Sequence, residues 1–291
     1  TEGAAIKDAL RLSRAMTYKS ATAELPLGGG KAVIIADSRT QKTEALMRAF
    51  GRFLNTLGGR YLTTTDVGST GRDMEDISQE TEYVVGLPTS AGGSGDTSIM
   101  TGLGIYLGMK ACAKAVWGSN SLAGKVIALQ GFGKVATHTA DSLLKEDVTL
   151  VTTDIHEESL ERARRMGATV VKPDDIYGVE CDIFSPCALG GVLNSHTIPR
   201  LKCRIVAGGA NNQLLTNADG LEIQRRGILY APDYIINAGG IINVACEIGT
   251  TYNFERASQK TQDIYNTVER ILDIAAKQSI PTYLAADTLA E

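Results

Sequence analysis

Leu46, Ala49, Phe50, Phe53, Leu54 and Leu57 recur at the i, i+3, i+4 spacing of one helical face, and Ile6, Ala9, Leu10 and Met16 do so less regularly. Both stretches predict amphipathic helices. Short β-rich runs from Lys31 to Ala36 and from Arg60 to Thr64, each bounded by glycine or polar turn residues, predict strands. The first region therefore reads as α/β. Two strands alone make a marginal sheet, so the pattern carries the expectation that an opening segment is missing ahead of Thr1.

From about residue 97 a helix bearing Leu103, Tyr106, Leu107 and Lys110 leads into a regular alternation of apolar runs and helices. Strands are expected at Val126 to Leu129, Val148 to Thr152, Thr169 to Val171, Cys181 to Phe184, Arg204 to Ala207 and Ile228 to Tyr230. Strand and helix in alternation imply parallel pairing through right-handed crossovers. This is the Rossmann-type, doubly wound architecture, which binds ligands at the carboxyl ends of its strands. The run Gly92-Gly93-Ser94-Gly95-Asp96 is the natural link between the two regions, with Asp96 or Thr97 capping the next helix. A long helix from Phe254 to about Lys277 returns the chain toward its first part. The division expected is 1–93 with 282–291 as one domain and 94–281 as the other.

Composition narrows the partners. Forty-three per cent of the residues are hydrophobic, 21% are charged, and the formal net charge is −4, which leaves no basic stripe for nucleic acid or an anionic membrane. A small-molecule partner is expected. The five cysteines are odd in number and scattered, as in a reduced cytoplasmic protein, and His138, His156 and His196 form no ligand-spaced cluster, so no metal site is expected. No apolar span of eighteen residues occurs and the start at Thr1 lacks a leader pattern, so neither a membrane span nor a secretory leader is expected.

A glycine loop supplies the first chemistry. The apolar run Val126-Ile127-Ala128-Leu129 feeds Gly131-Phe132-Gly133-Lys134-Val135-Ala136, and a helix follows. Gly131 permits the tight turn, Gly133 lets the backbone approach a pyrophosphate, Lys134 and Val135 open the helix, and Ala136 is small enough for close packing. Asp154, about twenty residues on at the end of the next strand, is placed to bind the adenosine ribose hydroxyls and repel a 2′-phosphate, which favours NAD over NADP. The alternative for Asp154 is a plain helix cap.

A lysine set supplies the second. Gly28-Gly29-Gly30 clears competing side chains from around Lys31, just ahead of an expected buried strand. Burial and a neighbouring cation both disfavour an ammonium, which can bring a lysine toward neutral pH as a base. Lys19 is a candidate for that neighbour and for a carboxylate anchor, with a solvated helix-end cation as the alternative. Asp66 follows the second expected strand and can project into a cleft or simply cap its turn.

The runs Leu10-Arg11-Leu12-Ser13-Arg14-Ala15-Met16-Thr17-Tyr18-Lys19, Gly28-Gly29-Gly30-Lys31 and Thr65-Asp66-Val67-Gly68 resemble the leucine, phenylalanine and valine dehydrogenases, relatives of glutamate dehydrogenase. The likeness continues through Gly95-Asp96-Thr97-Ser98, the glycine loop, Ser185-Pro186-Cys187-Ala188, Gly209-Ala210-Asn211-Asn212-Gln213-Leu214, Tyr230-Ala231-Pro232-Asp233-Tyr234 and Asn237-Ala238-Gly239-Gly240. The resemblance implies reversible oxidative deamination of an amino acid to a 2-oxo acid and ammonia in a homo-oligomer. It implies Lys31 and Asp66 as catalytic groups, with Lys19 and Asn212 as substrate contacts. Thr101, Asn211, Cys187 and Ala188 are implied as cofactor contacts. Under the same resemblance 1–93 with 282–291 is the substrate and oligomerisation domain, and 94–281 is the NAD domain.

Thr64, Ile241 and Val244 fall where this family lines its side-chain pocket, and all three are neutral, which implies an apolar substrate. Gly95-Asp96-Thr97-Ser98-Ile99 leans toward phenylalanine or valine enzymes, whereas Asp66-Val67-Gly68 and Ile241-Ile242-Asn243-Val244 lean toward leucine enzymes. Thr64, bulkier than usual there, weighs against the largest aromatic side chains. Two departures stand out: the family's N-terminal segment, with strands and a Gly-Gly pocket element, is absent, and Cys246-Glu247 replaces the usual Asp-Glu pair. The competing reading is a catalytically silent nucleotide-binding or assembly module of the same fold.

Overall fold

Three threonines open the first three helices. Thr1, Thr43 and Thr70 each offer a side-chain oxygen to the backbone N–H three residues on, satisfying donors that a helix start leaves without partners. They begin α1 (Glu2–Thr22), α2 (Glu44–Asn55) and α3 (Gly71–Ser78) in a computed structural model that describes residues 1–291. Thr70 and Asp73 complete a reciprocal capping box. The second helix buries Met47 and Leu54 against Met74 and Ile77 of α3 and against Val84, forming a small core of its own.

The two strands expected in this region do not form. Residues 31–36 join no ladder and bend at Ala36, whose N–H donates to Ile34 O at 3.1 Å, and Val33, Ile34 and Ile35 are 40%, 39% and 64% exposed. Apolar β-branched side chains favour a strand only where a ladder and a covering layer exist. Of residues 60–64, only Thr63 makes a parallel bridge, to Val84, exchanging hydrogen bonds with Tyr83 and Val85.

The second region carries the sheet. After α4 (Ser98–Trp117) come β1 (Val126–Gln130), α5 (Lys134–Leu143), β2 (Thr149–Thr153), α6 (Glu157–Arg165), β3 (Thr169–Val170), β4 (Ile183–Pro186), β5 (Ile205–Val206), α7 (Asn217–Arg225) and β6 (Leu229–Tyr230). The six strands are all parallel in the order β3-β2-β1-β4-β5-β6, so the direction of winding reverses between β1 and β4. That reversal opens a crevice at the carboxyl ends of the strands. Observed strands start one or two residues later than expected at β2, β4, β5 and β6. At β4 the reason is local: the Asp182 carboxylate accepts the Val126 N–H at 2.9 Å, fastening the entry of β1 before the ladder begins.

The chain closes with α8 (Asp233–Ile236), α9 (Gly239–Ala245), α10 (Phe254–Gln278) and α11 (Thr282–Ala290). The tenth helix lies along α4, where Gly104 and Gly108 bring the backbone against Ile236, and α11 packs on α10, α1 and β6. One core runs through this layer and takes in Ile127, Leu129, Ile183, Ile205, Ile236 and Ile271. Burying each such side chain contributes roughly 1.5–3 kcal/mol. With thirty buried members here and five in the small core, the sheet region is the rigid partner. No helix is long and apolar enough to cross a membrane.

Candidate active site

The fold brings Lys31 and Asp66 into direct ion pairing although neither lies in a regular element. Asp66 divides its carboxylate. Oδ1 accepts the Val67 N–H at 2.8 Å, while Oδ2 faces Lys31. The Ser69 hydroxyl donates to Asp66 O and accepts the Asp66 N–H, closing the turn. Asp66 thus closes its own turn and pairs with Lys31 at once.

Gly29 explains the approach of the glycine run. A Cβ there would collide at 2.2–2.3 Å with the Thr17 nitrogen and the Ser13 carbonyl, so only glycine lets the chain cross α1 this closely. Burial holds the Lys31 ammonium below its usual range, opposed by Asp8. Lys19, in the last turn of α1, is lowered further, to about 8, by burial with Lys31 adding to the effect and Asp233 opposing it. Lys31 thus depresses Lys19, whereas Lys31 itself is lowered by burial and not by Lys19.

Asp233 has no role in the sequence reading, although the run containing it does. It is buried, and burial raises its carboxyl above the usual range. Its oxygens accept the Gln213 N–H at 3.0 Å and the Tyr234 N–H at 2.7 Å. For Lys19 and Asp233 alike, desolvation outweighs mutual attraction. Asp233 therefore links the lysine set to the loop of Asn212, whose φ of +52° is a left-handed conformation that asparagine tolerates better than most residues. The Asn212 carbonyl accepts the Gly191 N–H at 2.7 Å, which fixes that turn.

The crevice residues pack on one another. Gly131 has φ +92°, and a Cβ on it would meet Ala188 at 2.9 Å, so the loops after β1 and β4 touch. The Cys187 N–H donates to Gln130 O at 2.8 Å, extending that contact. A Cβ on Gly190 would meet Asn211 O at 2.6 Å, and Asn237 donates to Asn211 Oδ1 at 2.8 Å. Thr101, near the start of α4, lies against Gly240 at the start of α9. Gly133 begins α5 with open space where a Cβ would sit, and no side chain caps the N–H groups that follow. Uncapped helix donors beside a glycine are what a pyrophosphate needs, so the cradle fits a dinucleotide. The Asp154 carboxylate accepts the Phe132 N–H at 2.7 Å and the His156 N–H at 2.9 Å, holding the loop and starting α6 together. Lys134 reaches Asp96, which in turn caps α4 by accepting from Ser98.

Thr64 and Val244, two of the residues expected to line a side-chain pocket, both lie against Gly86. A Cβ on Gly86 would stand 2.5 Å from Thr64 Oγ1 and 3.6 Å from Val244 Cγ1. Ile241, one turn before Val244 on α9, is partly buried against the main core. Besides Asp233, the residues that sequence reasoning leaves without a role are Gly86, Asn243 and Glu247. The contacts that join Glu247 to Gly86 and Ser94, and Asn243 to Ser94, each span more than a hundred residues, which no local pattern marks.

Comparison with known proteins gives one answer. A model of the Glu/Leu/Phe/Val dehydrogenase dimerisation domain matches residues 1–83, and the glutamate/leucine/phenylalanine/valine dehydrogenase model matches residues 92–156 and 149–290. Leucine dehydrogenase of Geobacillus stearothermophilus is 54% identical over 100% of this chain and 79% of its own length. L-tryptophan dehydrogenase of Nostoc punctiforme is 50% identical over 100% of this chain and 81% of its own. A crystal structure of L-tryptophan dehydrogenase from that organism superposes with a TM-score of 0.83 at 48% identity, covering 100% of this chain and 83% of the other. Hetero-hexameric glutamate dehydrogenase of Thermus thermophilus, at 22% identity and TM-score 0.82 over 97% and 76%, shares the fold. With both family models matched in order along a chain that pairs a lysine cleft with a parallel-sheet crevice, the protein belongs to the glutamate/leucine/phenylalanine/valine dehydrogenase family and is an amino-acid dehydrogenase.

Proposed function

We propose that this enzyme carries out reversible, NAD-dependent oxidative deamination of an apolar L-amino acid, with Lys31 and Asp66 as its catalytic groups. The observation that carries the proposal is the Lys31–Asp66 pair beside a depressed Lys19, in a fold that also brings the uncharged Thr64 and Val244 together at Gly86.

Lys19, still protonated below about 8, anchors the substrate carboxylate, with Asn212 as a second contact. Asp66 takes a proton from the substrate ammonium, leaving the amine lone pair free to form the C=N bond. Gly131, Gly133, Lys134, Val135, Thr101, Cys187, Ala188 and Asn211 would hold a dinucleotide, which when bound would supply the acceptor for the hydride of Cα. Lys31, as a free amine, removes a proton from water as its oxygen bonds to the imine carbon, and the π electrons move to nitrogen. Asp66 returns a proton to that nitrogen, and ammonia departs as the carbonyl forms, the hydroxyl proton passing back to the Asp66 carboxylate. The carboxylate of Asp154 supports NAD over NADP, since a 2′-phosphate would stand against a negative charge already fixed by two backbone N–H groups.

Identities of 54% to a leucine enzyme and 50% to a tryptophan enzyme do not choose the side chain, so an apolar class including leucine and valine is the reading the pocket supports. For a substrate domain of 1–93 with 282–291 against a NAD domain of 94–281, the separate small core under α2 and α3 supports a distinct unit within the first stretch, while Ala285 and Ala286 pack into the main core. A dimerisation-domain match supports a homo-oligomer, and five free cysteines support a reducing, cytoplasmic setting. The test is NADH formation with leucine, valine, phenylalanine and tryptophan: turnover with an aliphatic member is expected, and no turnover with any of them would favour a silent module.

A further inference from the structure

The pocket wall is assembled from three stretches of chain with no local reason to stay together: Thr64, Gly86 and Val244. Residues 86–95 cross from the first region toward α4 and fold back on themselves, the Gly95 N–H donating to Leu87 O at 3.0 Å and the Gly93 N–H to Pro88 O at 3.2 Å. Gly86 enters this loop at φ +76° and Gly95 leaves it at φ +68°. A single oxygen of Glu247, just past α9, accepts the Gly86 N–H at 2.9 Å and the Ser94 N–H at 2.7 Å, pinning both ends. Asn243, one turn earlier, donates to Ser94 O at 3.4 Å and is itself held by the Tyr252 hydroxyl at 2.7 Å. Backbone N–H groups bound to a carboxylate are the stronger class of hydrogen bond.

We infer that Glu247 is a specificity-determining positioning residue: by holding Gly86 against α9 it sets the spacing of Thr64 and Val244, and so the side chain the enzyme accepts. The inference rests on the proposed reading of Thr64 and Val244 as pocket wall. Glu247 touches no reacting atom. Its loss frees two partly buried N–H donors and lets Gly86 drift from Val244, which changes discrimination between side chains rather than the chemical step.

The test compares wild type with Glu247→Ala, Glu247→Gln, Glu247→Asp and Val244→Ala on leucine, valine and phenylalanine, with NADH affinity and melting temperature measured in parallel. Glu247→Ala is expected to raise the amino-acid KM about tenfold and to shift the valine-to-leucine ratio of kcat/KM by about threefold or more, with NADH affinity unchanged. Glu247→Gln restores the wild-type ratio, because one amide oxygen can accept both N–H groups. If the alanine variant does not fold, the Asp and Gln pair decides: the shorter Asp shifts the ratio and Gln does not. An unchanged ratio in Glu247→Ala or Glu247→Asp, whatever the melting temperature, overturns the inference. Unchanged ratios in Val244→Ala overturn the pocket reading itself.

Discussion

The lysine cleft and the glycine crevice solve the problem of placing chemistry in opposite ways. In the crevice most of the functional groups are backbone: Gly131 turns, Gly133 clears space, and α5 presents its N–H groups, all within a few residues of one strand end. The cleft uses side chains from a helix end, an irregular run and a turn, with no sheet beneath them. It is held by charge and by Gly29 crossing α1, whose C-terminal end leads through Leu25 into the main core. A site built on backbone tolerates side-chain change, whereas a site built on converging charges fails when one of them is removed.

Damage in the cleft should therefore cost turnover and spare the cofactor. Asp66→Asn, which keeps the turn but cannot shuttle protons, is expected to lower kcat by about a thousandfold at unchanged NADH affinity, measured by steady-state assay and fluorescence titration. Lys19→Ala should raise the amino-acid KM about a hundredfold with a smaller loss in kcat. Its titration adds a pH signature. Substrate capture needs Lys19 charged, so kcat/KM should fall as pH rises through about 8, and Lys19→Arg should move that alkaline limb upward. Folding lowers the Lys19 pKa from 10.5 to about 8, so the unfolded chain binds more protons between those values and Lys19 should make stability rise with pH across that window.

Damage in the crevice should do the reverse and more mildly. Asp154→Ser removes the charge opposed to a 2′-phosphate and should narrow the preference for NAD over NADP about tenfold in kcat/KM, leaving the amino-acid preference unmoved. A matched fall with both dinucleotides would show instead that Asp154 serves the Phe132 N–H alone.

The same contrast decides what is legible in the sequence. The sheet region reads well because its signals are local: Ile127, Ala128 and Leu129 are apolar because both faces of β1 are covered, and Gly131 is glycine because φ is +92° there. In the first region, Val33-Ile34-Ile35 carry the same β-propensity, yet propensity does not report whether a partner strand is present, and the predicted ladder is not there. Lys19, Lys31 and Asp66 are legible through their glycine and turn neighbours and their resemblance to a family. Asp233 and Glu247 are not, since a carboxylate that answers a lysine on α1 or backbone N–H groups 153 and 161 residues away looks like any other acidic residue until the chain is folded.

The measurement that bears most directly on this division of labour is Lys31→Ala followed in two ways at once, by amino-acid turnover and by NADH binding. A loss of at least about a hundredfold in kcat with NADH affinity within about twofold of wild type is the predicted result, the range that removal of a general base produces. Undiminished turnover, or NADH binding lost in step with activity, would contradict the assignment of amine chemistry to the cleft and of the electron acceptor to the crevice.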